Sequence, residues 1–277
     1  MKKWMYSALT VFFVLIFVSS GAMVGYYIWD SFQQEGRYDE LAQLRPSGEG
    51  RPGEGTDGTQ PAETTEPQPT EPKYVEVVDD QTGESRQILQ SFEELYKMNN
   101  HMVGWLRIPA IGVDYPVMHT PGDQDYYLKR NFDRKKSSRG TLFIQEEADV
   151  FLPSDNVVIY GHNMRDGTMF GKLDYFRSAK FTRNNPYIYF DTLSEYHTYE
   201  VLSVFLTTAT LGKGFPYHDF VNAVNEEEFD AFVDKCKKLA LFDTGVDAQF
   251  GDKLICLSTC EYSQMNGRLV VVAKRIN

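Results

Sequence analysis

The sequence predicts a mostly β domain, built as a closed barrel or a sandwich, behind an apolar N-terminal segment and a spacer. Short runs rich in Val, Ile, Leu, Tyr and Phe recur through the second part of the chain, and turn residues bound them. Few stretches between these runs space their apolar residues as a helix does. Roughly 200 residues follow the spacer, which is enough chain for one substantial core. Many short strands with little helix between them are typical of barrels and sandwiches.

The N-terminal segment is long and apolar enough to cross a membrane. Residues 4–29 contain no charged side chain, and about 20 apolar residues span a bilayer as a helix. Lys2 and Lys3 precede the segment and Asp30 follows it, which predicts a cytoplasmic N-terminus under the positive-inside tendency. We therefore predict a single-pass protein of the cell membrane whose folded domain is extracellular. A cleaved signal peptide is the alternative, because small residues lie near the end of the apolar stretch.

Composition divides the chain into four parts. We predict a cytoplasmic N-terminus over 1–6, a transmembrane signal-anchor over 7–29, an extracellular spacer over 30–72 and a folded domain over 73–277. Most of the spacer consists of Pro, Gly, Thr and Glu, a composition that cannot bury a core and favours an extended, mobile chain. The net charge of −11 argues against a nucleic-acid partner.

Seven runs in the domain are predicted to be strands. Each is short, rich in β-branched or aromatic residues and bounded by turn residues or charges. In chain order they cover residues 105–108, 140–144, 156–160, 187–190, 199–206, 254–260 and 268–273.

Three stretches are predicted to be helices. Ser91 has capping-box spacing with Glu94 and opens the first helix. Asn225 offers a similar start with Glu228, and apolar residues then recur at helical spacing. A shorter helix is predicted over 169–176.

The last two strands place a cysteine beside an arginine. A short loop that carries the turn signal Asn266-Gly267 joins them, so an antiparallel hairpin is expected. Cys260 then ends one strand and Arg268 begins its neighbour, at one rim of the sheet. A cation beside a cysteine favours the thiolate, which is the reactive form. The hairpin therefore predicts a reactive thiol, although a lone strand cysteine is more often a small buried hydrophobe.

The other two cysteines are expected to be buried and unreactive. Cys256 lies four residues before Cys260 on one strand, which is about 13 Å and too far for a disulfide. Cys236 falls on the apolar side of the helix that begins after Asn225. Because the cysteine count is odd and no spacing repeats, no disulfide framework is predicted.

A nucleophilic cysteine needs a partner that exchanges a proton, and His162 has the best context of the five histidines. It follows the predicted strand over 156–160 after one glycine, and loops at strand ends commonly carry functional side chains. Taken alone, such a histidine is more often a surface group. The remaining histidines are expected at a helix end, in polar turns or on a strand: His101, His119, His218 and His197.

Together these segments resemble the sortases, and within them class B. The run Leu257-Ser258-Thr259-Cys260, followed by Gly267-Arg268, is similar to the family's cysteine strand and its downstream arginine. Tyr160-Gly161-His162-Asn163-Met164 is similar to the class B histidine segment. The helix from Asn225 resembles the class B insertion before the cysteine strand. The likeness covers residues 92–276.

The resemblance implies a closed sortase-type β-barrel of about eight strands, with N-terminal helices and an inserted helix before the cysteine strand. It also implies a cysteine transpeptidase. Cys260 would attack a backbone carbonyl in the C-terminal sorting signal of a secreted protein, and an amine of a peptidoglycan precursor would resolve the thioester. His162 would move the proton and Arg268 would stabilise the oxyanion. No metal or organic cofactor is needed for this chemistry.

The resemblance further implies where the substrate would touch the enzyme. Ser258 and Glu261 match class B positions that contact the sorting signal. Leu128, Thr207 and Leu211 align with the walls of the groove. Leu128 is equally consistent with plain core, and Glu261 with a solvated turn.

Two departures from the family pattern are visible. Cys256 stands where the fuller motif has threonine, and the loop from Cys260 to Arg268 is slightly shorter than in some class B members. Two alternative functions also stay open. A membrane-anchored cysteine peptidase that only hydrolyses would pass through the same thioester, and a wall-binding domain would leave the cysteine inert.

Overall fold

The computed structural model describes residues 2–45, 72–78, 83, 85–210 and 212–277. The chain divides into two compact units, one that ends at Gln43 and one that begins at Leu44. Helix α1 (Lys2–Leu44) opens the chain. It contains a stretch that is apolar and long enough to cross a membrane, none of it buried, and a signal sequence shares these properties.

The predicted spacer over 30–72 is partly helical. Helix α1 continues to Leu44, so the first part of that segment is not extended. The part rich in Pro, Gly, Thr and Glu, over 46–71, lies outside the described residues.

The second unit contains a closed barrel of eight strands together with a separate hairpin. The described strands are β1 (Tyr74–Val78), β2 (Ser85–Leu89), β3 (Met102–Ile108), β4 (Val113–Met118), β5 (Leu142–Ile144), β6 (Asn156–Tyr160), β7 (Tyr187–Thr192), β8 (Thr198–Thr208), β9 (Leu254–Glu261) and β10 (Gly267–Arg275). Strands β1 and β2 form the hairpin. Around the barrel the order is β10, β8, β7, β3, β4, β5, β6 and β9, with β9 paired back to β10. The predicted barrel is confirmed, and closure excludes a sandwich.

All seven predicted strands are present, and the sequence analysis missed β1, β2 and β4. Strand β4 contains Pro116, which has no N–H to donate and argues against a central strand. Pro116 pairs with Trp105 of β3, and β4 pairs with β5 only at Val117 and Met118, so the side of Pro116 away from β3 has no strand partner that needs its N–H.

Three helices accompany the barrel in the described part of this unit: α2 (Glu93–Met98), α3 (Ala179–Asn184) and α4 (Glu226–Leu239). Helix α4 begins as predicted, because the Asn225 side chain accepts a hydrogen bond from the Glu228 N–H at 3.0 Å. The capping role predicted for Ser91 is wrong. Its hydroxyl hydrogen-bonds Tyr196 instead, and α2 begins after a 3₁₀ turn. The helix predicted over 169–176 is a 3₁₀ turn at Leu173–Arg177 that leads into α3.

Helix α4 covers one outer face of the β9–β10 hairpin. Alternate residues of a strand face opposite sides, so Cys256, Ser258 and Cys260 share one face of β9. Cys256 belongs to a buried cluster with Val270 and Val272 of β10 and with apolar residues of α4. This face is therefore closed by α4 along most of its length and reaches the barrel rim at Cys260.

Candidate active site

The β9–β10 hairpin brings Cys260 and Arg268 together. They are direct partners in the antiparallel register, so their side chains lie side by side on one face. Asn266 turns the chain with φ of 53°, and any side chain at Gly267 would collide with the Glu261 carbonyl. Both Cys260 and Arg268 are partly exposed, and the arginine Nη1 donates to the Gly267 carbonyl at 3.0 Å. The predicted juxtaposition of thiol and guanidinium is confirmed.

His162 reaches the same rim through parallel pairing of β6 with β9. Tyr160 pairs with Ser258 in the register, and parallel strands end at the same edge of a sheet. The Gly161 N–H then donates to the Ser258 carbonyl at 3.2 Å, and the Thr259 hydroxyl donates to the Gly161 carbonyl at 2.7 Å. These bonds place the residue after Gly161 next to the end of the cysteine strand.

Asn163 ties the histidine segment directly to the cysteine. Its Nδ2 donates to the backbone carbonyl of Cys260 at 2.7 Å. The neighbouring imidazole of His162 is also held, because its Nε2 lies 2.7 Å from the Leu128 carbonyl. A carbonyl oxygen can only accept, so Nε2 carries a hydrogen and Nδ1 is the ring nitrogen that remains for proton exchange.

An ion pair stabilises the loop that follows. The Arg139 guanidinium, itself only 4% exposed, binds Asp166 at 2.6 Å. Burial acts to raise the pKa of Asp166, but hydrogen bonds from Thr168 and Arg139 outweigh it and lower the pKa. The loop is closed by a hydrogen bond of 3.0 Å from the Phe170 N–H to the His162 carbonyl. The carboxylate therefore stays charged at neutral pH and fixes the loop.

Cys260, His162 and Arg268 line one groove at the barrel rim, with a volume of about 440 Å³. They come from the ends of β6, β9 and β10, which are far apart along the chain. Leu128, from a 3₁₀ turn at Tyr126–Lys129, lines the groove as well. The arrangement places a thiol, a proton carrier and a fixed cation around one space.

Ser258 lies on the floor of the groove but is only 1% exposed. Its hydroxyl is 2.6 Å from the hydroxyl of Tyr217. Tyr217 comes from the segment between β8 and α4, and burial, more than any other influence, raises its pKa to about 12. The two groups are therefore neutral and form a buried pair of hydroxyls. Ser258 lies two residues before Cys260, on the same face of β9.

The structure does not bring the other predicted substrate residues into the groove. Thr207 pairs with Arg268 in the sheet, but its hydroxyl accepts a hydrogen bond from the Phe215 N–H and lines a neighbouring pocket. Glu261 is 9% exposed, and its carboxylate accepts hydrogen bonds from Ser263. Leu211 lies outside the described residues.

The sequence analysis assigned no role in the site to Tyr217 and His218, which line the groove, or to Asn163, which bonds the Cys260 carbonyl. Tyr217, His218 and Asn163 have no periodic pattern that marks them, and Tyr217 and His218 lie in the irregular segment before α4. His218 is about half exposed and lies 3.4 Å from Asp219. The resemblance to class B covered Asn163, but no property of that segment by itself indicated its bond to Cys260.

The remaining thiols are buried, as predicted. Cys236 and Cys256 are both 0% exposed and belong to the cluster under α4. Burial raises the pKa of each thiol, and for Cys256 the nearby Cys236 adds to the effect. All three cysteines are free. Within the described ranges, no group of three or more His, Cys, Asp or Glu side chains could hold a metal ion.

Comparisons with known proteins agree with this geometry. A Sortase domain model matches residues 106–276. Sortase B of Staphylococcus aureus is 30% identical over 187 residues, which cover 67% of this chain and 74% of that protein. Sortase B of Listeria monocytogenes is 28% identical over 197 residues, which cover 70% of this chain and 78% of that one.

Solved structures give the same result for the fold. The substrate complex of Staphylococcus aureus sortase B matches with a TM-score of 0.62 and 28% identity, over 69% of this chain and 86% of that one. Clostridium perfringens sortase B matches with a TM-score of 0.60 and 30% identity, over 67% of this chain and 99% of that one.

Proposed function

This chain belongs to the sortase family, class B, whose members are cysteine transpeptidases, and on that premise we propose that it cleaves sorting signals through Cys260. The substrates are secreted proteins that carry such a signal near the C-terminus. The acceptor is an amine of a cell-wall precursor, so the product is a protein joined to peptidoglycan. The observation that carries this proposal is the convergence of Cys260, His162 and Arg268 on one groove.

Cys260 acts as the nucleophile. Its thiolate sulfur attacks the carbonyl carbon of the scissile peptide bond, and the carbonyl electrons move to the oxygen. Collapse of this oxyanion breaks the C–N bond and leaves a thioester on Cys260. The incoming amine then attacks the thioester, forms the new amide bond and releases the sulfur as thiolate.

His162 moves the proton in both halves of the reaction. Since Nε2 is engaged with the Leu128 carbonyl at 2.7 Å, Nδ1 is the nitrogen that we assign to the transfer. As imidazolium, His162 gives a proton to the leaving amine. As neutral imidazole, it takes a proton from the attacking amine, which returns the site to its starting state.

Arg268 stabilises the oxyanion. It lies beside Cys260 in the register, and the Nη1 bond to Gly267 holds the guanidinium at the rim. The planar fork has further N–H groups that can face the developing charge. One preorganised donor of this kind lowers the activation barrier by about 3 kcal/mol.

The sorting signal lies along the groove in an extended form. Leu128 and the Ser258–Tyr217 hydroxyl pair bound the groove, so they provide an apolar wall and a polar floor. A substrate complex is known for the Staphylococcus aureus sortase B. Glu261 and Thr207 contact the substrate only after their present hydrogen bonds within the protein are broken.

We assign the apolar part of α1 as a membrane anchor with its N-terminus inside the cell. Its length and composition support this assignment, and the two lysines before it support the orientation. The barrel would then lie outside the cell, where sorting signals and wall precursors meet.

The test uses the full chain in detergent with fluorescence-quenched peptides that span C-terminal sorting signals. We expect cleavage by the native protein, and none above background by Cys260→Ala or His162→Ala. Cys256→Ala is the matched control, because it removes a thiol from the same strand but from the buried cluster under α4. We expect this variant to cleave the peptides at temperatures at which it is folded. Cleavage by Cys260→Ala at the native rate contradicts the assignment.

Product analysis separates transfer from hydrolysis. With a short glycine peptide added as acceptor, a transpeptidase yields the amide product in preference to the free acid. A peptidase that only hydrolyses yields the acid at every amine concentration. We expect the amide fraction to rise with amine concentration until it saturates.

A further inference from the structure

A second pocket lies at the end of the barrel opposite to the catalytic groove. Its lining includes Arg275, Tyr199 and His197. Arg275 ends β10, seven residues after Arg268, and at about 3.3 Å per residue that distance is about 23 Å. The pocket has a volume of about 240 Å³ and is separate from the groove.

Arg275 belongs to the row of β10 side chains that faces the barrel interior. It shares a face of the strand with Val271 and Ala273, which are 0% exposed, whereas the alternate residues face α4. Tyr199 of β8 is the direct partner of Arg275 in the register, so the guanidinium and the phenol lie side by side. A cation and a hydroxyl therefore point into the mouth of the barrel.

Neither group is satisfied within the described part of the chain. The neighbouring cations are paired, Lys253 with Asp155 at 2.8 Å and Lys274 with Asp252 at 2.9 Å. No carboxylate of the described residues pairs with Arg275, and no described group hydrogen-bonds the hydroxyl of Tyr199, which is 5% exposed. The Arg275 guanidinium is partly buried and the Tyr199 side chain is 5% exposed, so both groups keep hydrogen-bonding capacity that a ligand in the pocket can use.

The other titratable groups leave the pocket able to accept an anion. Burial lowers the pKa of His197 to about 4, and Arg275 adds to the effect, so the imidazole is neutral at pH 7. Burial raises the pKa of Tyr199, so its hydroxyl keeps its proton and can donate. Two carboxylates act on Tyr199 and also raise its pKa: Asp191, which is 0% exposed and is not part of the lining, and Glu195 at the rim, which is 63% exposed and lies 3.3 Å from the His197 ring.

We propose that this pocket binds a small organic carboxylate, with the Arg275 guanidinium as a two-pronged donor and the Tyr199 hydroxyl as a third. The planar fork of arginine matches the two oxygens of a carboxylate. Val150, Val157 and Phe190 supply apolar walls, which match the body of an organic acid and not a bare inorganic anion. The volume lies below the usual range for drug-sized ligands, so the ligand has the size of a single amino-acid derivative.

The experiment uses the full chain in detergent, with its histidines labelled with ¹³C for NMR. The probes are N-acetyl-L-leucine and its amide, which has the same shape without the charge. We expect the acid to shift the ring signals of His197 and not those of His162, and the amide to shift neither. The position of the shifted signals separates this pocket from the catalytic groove.

Three variants test the named groups. Arg275→Gln weakens binding of the acid at least tenfold, because a charge-assisted fork is lost. Tyr199→Phe also weakens it about tenfold or more, because a hydrogen bond to a charged carboxylate is lost. Lys274→Gln is the control, since it removes a charge one residue away on the other face of β10 and leaves binding unchanged. Melting curves check that each variant is folded. Equal binding of acid and amide, or unchanged binding in Tyr199→Phe and Arg275→Gln, overturns the proposal.

Discussion

Asn163 offers the sharpest test of how the site is held together. Its Nδ2 donates to the Cys260 carbonyl at 2.7 Å, and two further bonds join the same segments, from Gly161 N–H to the Ser258 carbonyl and from Thr259 to the Gly161 carbonyl. Asn163→Ala removes one bond and leaves these two, together with a bond of 3.4 Å from the Tyr262 hydroxyl to the Asn163 carbonyl. We therefore expect the rim to loosen between His162 and Cys260 without unfolding.

The size of the effect follows from the geometry. A net hydrogen bond contributes about 1 kcal/mol to stability, so the free energy of unfolding should fall by about that amount. If the same energy is what holds Cys260 and His162 in the reactive arrangement, its loss lowers kcat/KM by about fivefold. A displacement of about 1 Å raises the loss to about a hundredfold. We expect kcat/KM to fall by between about fivefold and a hundredfold, mostly in kcat.

The assay measures peptide cleavage and urea unfolding on the same preparations. Asn185→Ala is the matched control, because Asn185 Nδ2 also donates to a backbone carbonyl, that of Phe181 at 3.0 Å, at the end of α3. It should lose similar stability and no activity. If Asn163→Ala keeps kcat/KM within twofold, or if Asn185→Ala loses as much activity, the positioning argument fails.

Three further predictions concern single side chains. Arg268→Lys should lower kcat/KM by about two orders of magnitude, because lysine lacks the planar fork; a melting temperature close to that of the native protein would show that the loss is catalytic. Tyr217→Phe should lower the free energy of unfolding by about 1–3 kcal/mol, since it leaves the buried Ser258 hydroxyl unpaired. In a double-mutant cycle measured by urea unfolding, Ser258→Ala should lower the free energy of unfolding less in the Tyr217→Phe background than in the native protein. Additive losses of stability would contradict the pairing. The lowered pKa of His197 means that the unfolded chain binds its proton first as pH falls, so stability should be full above pH 6.5 and fall by roughly 3 kcal/mol toward pH 4. In His197→Gln, the free energy of unfolding should change less between pH 6.5 and pH 4 than in the native protein. An unchanged difference would exclude this histidine as the cause.

Sequence patterns predicted most elements of the barrel because each depends on nearby residues. The run from Asn156 to Tyr160 and the start of α4 at Asn225 were predicted at their observed positions. Strand β4 was missed. Pro116 argues against a strand there, and the arrangement of β5 shows why the structure tolerates it. Ser91 failed as a cap because Tyr196, more than 100 residues later, takes its hydroxyl.

The residues of the candidate active site were likewise predictable only where nearby residues determine their positions. Cys260 and Arg268 could be paired from the sequence alone, since one short turn fixes the register of a hairpin. His162 was assigned through its position after a strand and through family resemblance, and only the parallel pairing of β6 with β9 puts it at the same rim. No local pattern marks Tyr217 as the partner of Ser258, because the segment that carries it is irregular.

The amino-acid sequence by itself therefore determined the apolar N-terminal segment, most of the strands and the adjacency of thiol and guanidinium. The tertiary structure alone decided that Thr207 and Glu261 bind other partners, that Asn163 holds the cysteine carbonyl, and that Arg275 and Tyr199 lie side by side at the far end of the barrel. The physical reason is that turns and strand propensities act over a few residues. Barrel closure instead sets the register between strands that are distant in the chain, and with it the neighbours of every side chain at the two rims.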